Sequence, residues 1–188
     1  MSLEKNPYLV EEKKHFLYTF RRQPLLISKA RGSYVWDEKG KRYIDFYSGL
    51  AVCGIGHNNQ RVVKAVQKQS SQLLHSSNYF YTKPQFDLAK ALTRKFSGSR
   101  VFFSNSGAEA NELAIKLARL WATRNKKKGR EIMTFSNGFH GRTLACISAG
   151  KSPKAVEGYA PLLDGFDQVA FGDLDAMRAA ITPETGGI

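Results

Sequence analysis

The chain has 188 residues, 42% hydrophobic and 24% charged, so its composition predicts a folded protein rather than a disordered one. No apolar run approaches the roughly 20 residues that span a bilayer, and the first residues lack an apolar signal region, which argues against membrane insertion and secretion. The two cysteines, Cys53 and Cys146, form no CxxC pair and no cluster with histidines. We therefore expect a cytoplasmic protein without a disulfide framework or a metal site.

The net charge of +13 is distributed unevenly along the chain. Residues 1–130 contain 25 basic and 9 acidic residues, whereas residues 131–188 contain 4 and 7. Such an excess can mark a nucleic-acid-binding module, or a chain whose acidic complement lies elsewhere. The basic residues do not interleave with aromatic residues as in DNA- or RNA-binding motifs. We therefore expect neither a nucleic acid nor a membrane as partner.

The first part of the chain carries the signals of a small α+β segment, which we predict over residues 1–75. Aromatic residues such as Tyr34 and Tyr43 flank residues 37–41, a charged stretch with a glycine that predicts a hairpin turn between two strands. Apolar residues at helical spacing then predict a helix within residues 59–75.

Strand and helix signals alternate over the second predicted domain, residues 76–188. In chain order we predict a helix from Pro84 to Phe96, a strand over 101–103, a helix from 107 through Trp121, a strand over 131–135, a helix start at 144–149, a strand over 168–171, a helix over 173–181 and the approach to another strand at 186–188. The basic run 124–130 is interpreted as a solvated helix end with Gly129 as its stop. The alternation predicts a mainly parallel α/β sheet. Because it halts at a strand, we expect the fold to be incomplete at the C-terminus.

One candidate site lies at residues 104–111, Ser-Asn-Ser-Gly-Ala-Glu-Ala-Asn, between a predicted strand and a predicted helix. A helix N-terminus offers unpaired N–H groups and a partial positive charge, which suit a phosphate. Ser106 adds a hydroxyl, and Gly107 and Ala108 allow close approach of the backbone. The same residues are typical of an ordinary capped helix start, so both interpretations stay open at this point.

A second candidate site lies at residues 137–143, Asn-Gly-Phe-His-Gly-Arg-Thr, directly after the strand predicted over 131–135. Open α/β sheets bind ligands beyond the carboxyl ends of their strands. Phe139 could stack on a flat ring, and Arg142 could pair with a carboxylate. A core phenylalanine, a capping histidine and a surface arginine would explain the same residues. His57, in a Gly- and Asn-rich turn, is predicted to be structural.

Together these stretches resemble the class III pyridoxal-phosphate-dependent aminotransferases, and within them most closely the acetylornithine aminotransferases. The resemblance rests on the order and spacing of residues 32–37, 43–46, 48–52, 56–58, 75–81, 84–85, 105–111 and 139–143. It implies an α/β fold: the start of the large, mainly parallel sheet domain of fold type I pyridoxal-phosphate enzymes, preceded by a small α+β segment.

The resemblance also implies roles for individual residues. Ser106, Gly107 and Ala108 would hold the cofactor phosphate, the last two through backbone N–H groups. Phe139 would stack on the pyridine ring of pyridoxal 5′-phosphate, and Arg142 would bind the α-carboxylate of the amino or keto acid substrate.

Two further positions concern assembly and the substrate pocket. Ser77 and Asn78 would lie near the subunit interface of a homodimer, close to the neighbouring active site. Phe20 stands where relatives often have a tyrosine.

The implied activity is transfer of an amino group from N-acetylornithine, or a related ω-amino substrate, to 2-oxoglutarate in arginine biosynthesis. In this family the Schiff-base lysine, the aspartate that pairs with the pyridine nitrogen and the glutamate that gates substrate binding lie further along, in a portion about as long as this chain. We therefore expect no catalytic residue in this chain, with the lysine beyond Ile188. The alternatives are a short non-catalytic form that acts as a binding partner, and a basic nucleic-acid-binding module.

Overall fold

The computed structural model describes residues 7–188, so the first six residues of the predicted segment 1–75 lie outside the described residues. The chain divides into two compact units, one ending at Phe86 and the other beginning at Asp87. Among the described residues, no helix is both long enough and apolar enough to cross a membrane.

The first unit contains an antiparallel three-stranded sheet and several helices. Strand β2 (Tyr34–Asp37) pairs with β1 (Ile27–Arg31) on one side and with β3 (Arg42–Ile44) on the other, and the β2–β3 connection is the predicted hairpin turn. Helix α3 is the one predicted after the sheet, although it ends at Ser70 instead of continuing toward His75. The elements are α1 (Pro7–His15), β1 (Ile27–Arg31), β2 (Tyr34–Asp37), β3 (Arg42–Ile44), the short left-handed turn α2 (Ser48–Ala51) and α3 (Gln60–Ser70).

Asp37 organises the hairpin turn through its side-chain carboxylate. One oxygen accepts hydrogen bonds from the backbone N–H groups of Lys39 and Lys41, at 3.0 and 2.9 Å, and the other accepts from the Tyr43 hydroxyl at 2.9 Å. Burial by itself raises the pKa of Asp37, but the Tyr43 hydroxyl and the two N–H groups outweigh it and leave the pKa below its usual value. Asp37 is the only buried residue described in the first unit.

The second unit is a parallel sheet with helices, as the alternation predicts. In this sheet β4 (Glu131–Phe135) lies between β5 (Phe166–Val169) and β6 (Thr185–Gly187), and both pairs are parallel. Helix α4 (Lys83–Thr93) begins in the first unit and ends in the second. The other elements are α5 (Gly107–Arg124), β4 (Glu131–Phe135), α6 (Leu144–Gly150), α7 (Pro153–Val156), β5 (Phe166–Val169), α8 (Leu174–Ala180) and β6 (Thr185–Gly187).

The core of the second unit lies between the sheet and helices α5 and α6. Ala145, Ala149 and Phe166 form a buried cluster, and the partly buried side chains of Ile115 and Ile132 pack against it. Most of helix α6 is buried, which is why its sequence is made of small and apolar residues.

Two sequence predictions in this unit are wrong. Residues 101–103 form no strand: they pair with none of the described strands, and a strand is stable only with a neighbour that completes its hydrogen bonds. Gly129 does not stop a helix, because α5 already ends at Arg124. A Cβ atom at Gly129 would lie 2.5 Å from the carbonyl oxygen of Thr185, so the glycine instead permits close approach of the first residue of β6.

Candidate functional site

The N-terminus of α5 is closed by a reciprocal pair of hydrogen bonds. Ser106 has an extended backbone, with φ −150° and ψ 160°, and its hydroxyl oxygen accepts from the N–H of Glu109 at 3.2 Å. The Glu109 carboxylate in turn accepts from the N–H groups of Ser106 and Asn105, at 3.1 and 2.5 Å. The hydrogen bond from the backbone N–H of Asn105 is the main reason why the pKa of Glu109 lies below its usual value. The ordinary helix cap is therefore present.

This cap determines which donors stay available at the helix start. The first N–H groups of an α-helix have no partner within the helix, and the cap satisfies those of Ser106 and Glu109. The N–H groups that remain belong to Gly107 and Ala108, for which no hydrogen-bond partner is found among the described residues. The space beside Gly107 is open, because a Cβ atom built there meets nothing within 4 Å. The cap and an anion-binding turn are thus compatible in one segment.

The second candidate loop follows β4 at the carboxyl end of the sheet, as predicted. Phe139 is not a core residue, since 74% of it is exposed. The guanidinium carbon of Arg142 lies 5.3 Å from the centre of the Phe139 ring. Helix α6, which starts just beyond, is capped by Thr143, so capping does not explain His140. The guanidinium of Arg142 therefore lies over one face of the Phe139 ring, and both residues are exposed.

Close packing at Gly141 brings the two candidate segments together. A Cβ atom at Gly141 would lie 2.7 Å from the Cβ of Ala108 and 3.0 Å from the sulfur of Cys146. The φ of Gly141 is 133°, which side chains rarely adopt. Gly141 thus places the loop that carries Phe139 and Arg142 directly against the first turn of α5.

Hydrogen bonds from α5 hold the same loop on both sides of Gly141. The side-chain amide of Asn111 donates to the carbonyl oxygen of His140 at 2.6 Å. The hydroxyl of Thr143 donates to the carboxylate of Glu112. Sequence analysis placed Asn111 in the candidate segment 104–111 without a role and missed Glu112, because their partners lie 29 and 31 positions away and no local pattern reveals such pairs.

A cavity of about 310 Å³ opens beside this loop. Its lining includes Phe139 and Arg142 on the loop, and Lys151 and Gln168 on the neighbouring elements. The Lys151 ammonium already donates to the carbonyl oxygen of Phe166 at 2.7 Å, so it serves the fold. Within residues 7–188, no group of three or more His, Cys, Asp or Glu side chains could hold a metal ion.

The other predicted positions lie in the first unit. His57 is hydrogen-bonded to Asp45, with 2.6 Å between its Nε2 atom and a carboxylate oxygen, so its contact is structural. The second Asp45 oxygen accepts from the N–H groups of Tyr47 and Ser48. The predicted interface residue Ser77 has a left-handed backbone, with φ 64°.

Comparisons with known proteins agree on one family. The model of the family "Aminotransferase class-III" matches residues 18–182. An acetylornithine aminotransferase from Methanothermobacter thermautotrophicus is 46% identical over 94% of this chain, which spans 44% of that relative.

Solved structures show the same similarity. An ornithine aminotransferase from Toxoplasma gondii, crystallised in the presence of oxidised glutathione with partial occupancy of pyridoxal phosphate at its active site, superposes with a TM-score of 0.91 and 26% identity over 98% of this chain and 44% of its own. For an acetylornithine aminotransferase from Elizabethkingia anophelis, the TM-score is 0.73 at 27% identity, over 93% of this chain and 40% of its own.

Proposed function

Because this chain belongs to the class III aminotransferases, whose cofactor is pyridoxal phosphate, we propose that it binds that cofactor and one substrate carboxylate in an amino-group transfer. The proposed reaction takes the amino group from N-acetylornithine, or a related ω-amino compound, to 2-oxoglutarate, in cytoplasmic arginine biosynthesis. The named relatives support this choice of donor. The chain spans under half the length of those relatives, so it supplies part of the proposed site.

The observation that carries the proposal is the pair of unpaired N–H groups at Gly107 and Ala108. They lie at the start of an 18-residue helix, where the helix dipole favours an anion, and the open space beside Gly107 leaves room for one. The Ser106 oxygen accepts from Glu109, which leaves the hydroxyl proton of Ser106 as a third donor. These residues therefore fit a phosphate group.

When bound, pyridoxal phosphate supplies the electron-withdrawing ring that stabilises negative charge developing on the substrate carbon. This chain's residues bind and orient. Phe139 offers an exposed aromatic face to a flat ring, and Arg142 beside it offers a planar fork of donors to a carboxylate. We assign the Schiff-base lysine to none of the lysines in residues 7–188, and Lys151 is committed to a backbone carbonyl.

We further propose a homodimer in which Ser77 and Asn78 lie near the partner's site. The exposed aromatic side chains next to these two residues support this assembly: Tyr79 and Tyr81 are 93% and 88% exposed. Sedimentation of the purified protein at micromolar concentration tests it. A dimer that dissociates when Tyr79 is changed to Ser supports the proposal, and a monomer at all concentrations contradicts it.

The experiment for the proposed function compares two ligands on the purified protein. Pyridoxal 5′-phosphate is expected to bind much more tightly than pyridoxal, which has the same ring but no phosphate. In the Arg142→Ala variant, affinity for 2-oxoglutarate is expected to fall by about tenfold or more, because a bond to a charged group contributes about 1.5–3 kcal/mol. Cofactor affinity is expected to change much less. Equal affinity for pyridoxal and its phosphate would contradict the proposal.

A further inference from the structure

Phe139 and Arg142 lie on a loop, and a loop needs anchors if its side chains are to meet a ligand in a fixed place. The anchor at its centre is the carbonyl oxygen of His140, which accepts the 2.6 Å hydrogen bond from the Asn111 amide. His140 directly follows Phe139 and precedes Gly141 and Arg142. The bond therefore acts on the backbone between the two side chains.

Asn111 also belongs to the helix whose first turn carries the proposed phosphate donors. It lies on α5 one turn beyond Gly107 and Ala108, and its side chain is half-buried. An asparagine in a helix interior is less favourable than alanine, because its side chain competes for backbone groups. The Asn111 amide donates to the loop and not to its own helix, so this hydrogen bond does not stabilise α5.

A rigid link therefore connects the phosphate donors to the ring and the guanidinium. It runs from Gly107 and Ala108 along the helix backbone to Asn111, and from there through one hydrogen bond to the loop. The contact of Gly141 with Ala108 limits how close the two segments come, whereas the Asn111 bond keeps them from separating.

We propose that Asn111 is a positioning residue that fixes Phe139 and Arg142 at a set distance from the phosphate-binding turn. This inference rests on the proposed function. Asn111 touches neither the ligand nor the reacting atoms in this account. Its removal leaves the phosphate donors intact and loosens the part of the site that meets the ring and the carboxylate.

The test measures three affinities of the purified protein by calorimetry: for inorganic phosphate, for pyridoxal 5′-phosphate, and for 2-oxoglutarate with the cofactor present. Two variants are compared with wild type. Asn111→Ala removes the amide, and Asn111→Asp keeps its size but cannot donate and places a negative charge toward the His140 carbonyl. The control is Lys116→Ala, on the exposed surface of the same helix.

Both Asn111 variants are expected to bind inorganic phosphate within about twofold of wild type. Their affinities for pyridoxal 5′-phosphate and 2-oxoglutarate are expected to fall by about five- to tenfold, as the loss of one hydrogen bond predicts. Lys116→Ala is expected to match wild type for all three ligands. Retained phosphate binding also shows that the variants are folded. If Asn111→Ala does not fold, the comparison is made with Asn111→Asp alone.

Three outcomes would overturn the inference, and they are distinguishable. Variants that match Lys116→Ala would show that Asn111 does not set the loop. An equal loss for all three ligands would show that Asn111 maintains the helix start instead. Wild-type protein that binds none of them would refute the proposed function, and the inference with it.

Discussion

Different kinds of contact stabilise the fold in the two units of the molecule. In the second unit, Met133 and Phe166 are 1% and 6% exposed, and Phe166 lies in a buried cluster with Ala145 and Ala149 of α6. In the first unit, large apolar side chains such as Phe46 stay exposed, and the best-formed contacts are those of two carboxylates, Asp37 and Asp45. The comparison teaches that one unit depends on apolar packing and the other on polar anchors.

Among the changes that test this difference, truncating a core side chain is expected to have the largest effect on the free energy of unfolding. Phe166→Ala removes a buried ring from the second unit and is expected to lower the free energy of unfolding by about 3–5 kcal/mol. Phe46→Ala, the matched change in the first unit, is expected to alter it by no more than about 0.5 kcal/mol, because the ring is exposed. Denaturant titration measures both, and similar losses for the two variants would contradict the comparison.

A smaller effect is expected from filling space at a glycine. In Gly129→Ala, the added Cβ would lie 2.5 Å from the carbonyl oxygen of Thr185, so the start of β6 must shift, at a cost of about 1–3 kcal/mol. Gly54→Ala in the first unit serves as control, because its nearest contact is at 4.0 Å. Thermal unfolding of the two variants distinguishes them, and an unchanged melting temperature for Gly129→Ala would refute the close contact.

The smallest effects concern pH, and the two units are expected to respond in opposite directions. The hydrogen bond from His57 is the main cause that lowers the pKa of Asp45, so the stability that Asp45 contributes is present above its unfolded pKa. That contribution is lost as the pH falls through the folded value, which lies below 3.8. In the second unit, repulsion by Asp167 raises the pKa of Glu131 above 4.5. The contribution of Glu131 to stability is therefore present below its unfolded pKa and is lost as the pH rises through its folded pKa.

Variants separate these two pH effects. Asp45→Asn is expected to lower stability at neutral pH and to match wild type in strong acid. Glu131→Gln is expected to raise stability slightly at neutral pH, because it removes the repulsion from Asp167, and to have no effect in acid. Unfolding titrations at several pH values check both, and the same pH dependence in the two variants would disprove the opposite signs.

The elements with a strong local pattern could be predicted from the sequence. The hairpin turn at residues 37–41, helix α5 and strand β4 appear in the structure as expected, because turn residues and apolar spacing determine them locally. The apolar residues 101–103 suit a strand, but a strand also requires a neighbour to pair with, and no local pattern in the sequence shows whether one is present.

The candidate site could be predicted in part. Residues 104–111 and 137–143 are recognisable as a helix start and a loop after a strand, and family resemblance joins them. The contact between them depends on Gly141 meeting Ala108, and on the bond between Asn111 and His140. Such contacts between residues about 30 positions apart leave no periodic signal, so only the folded chain reveals them.

The central claim is that the unpaired N–H groups at the start of α5 bind the phosphate of the cofactor, and one pair of variants tests it directly. Proline suits the first position of a helix, and Ser106 before it already has the extended backbone that proline requires. Gly107→Pro therefore removes one N–H donor while keeping the helix, and Gly107→Ala adds a Cβ but keeps the donor. Calorimetric titration with pyridoxal 5′-phosphate is expected to give about tenfold or more weaker binding for Pro than for Ala, because a bond to a charged group is lost. Equal affinities in the two variants would contradict the claim.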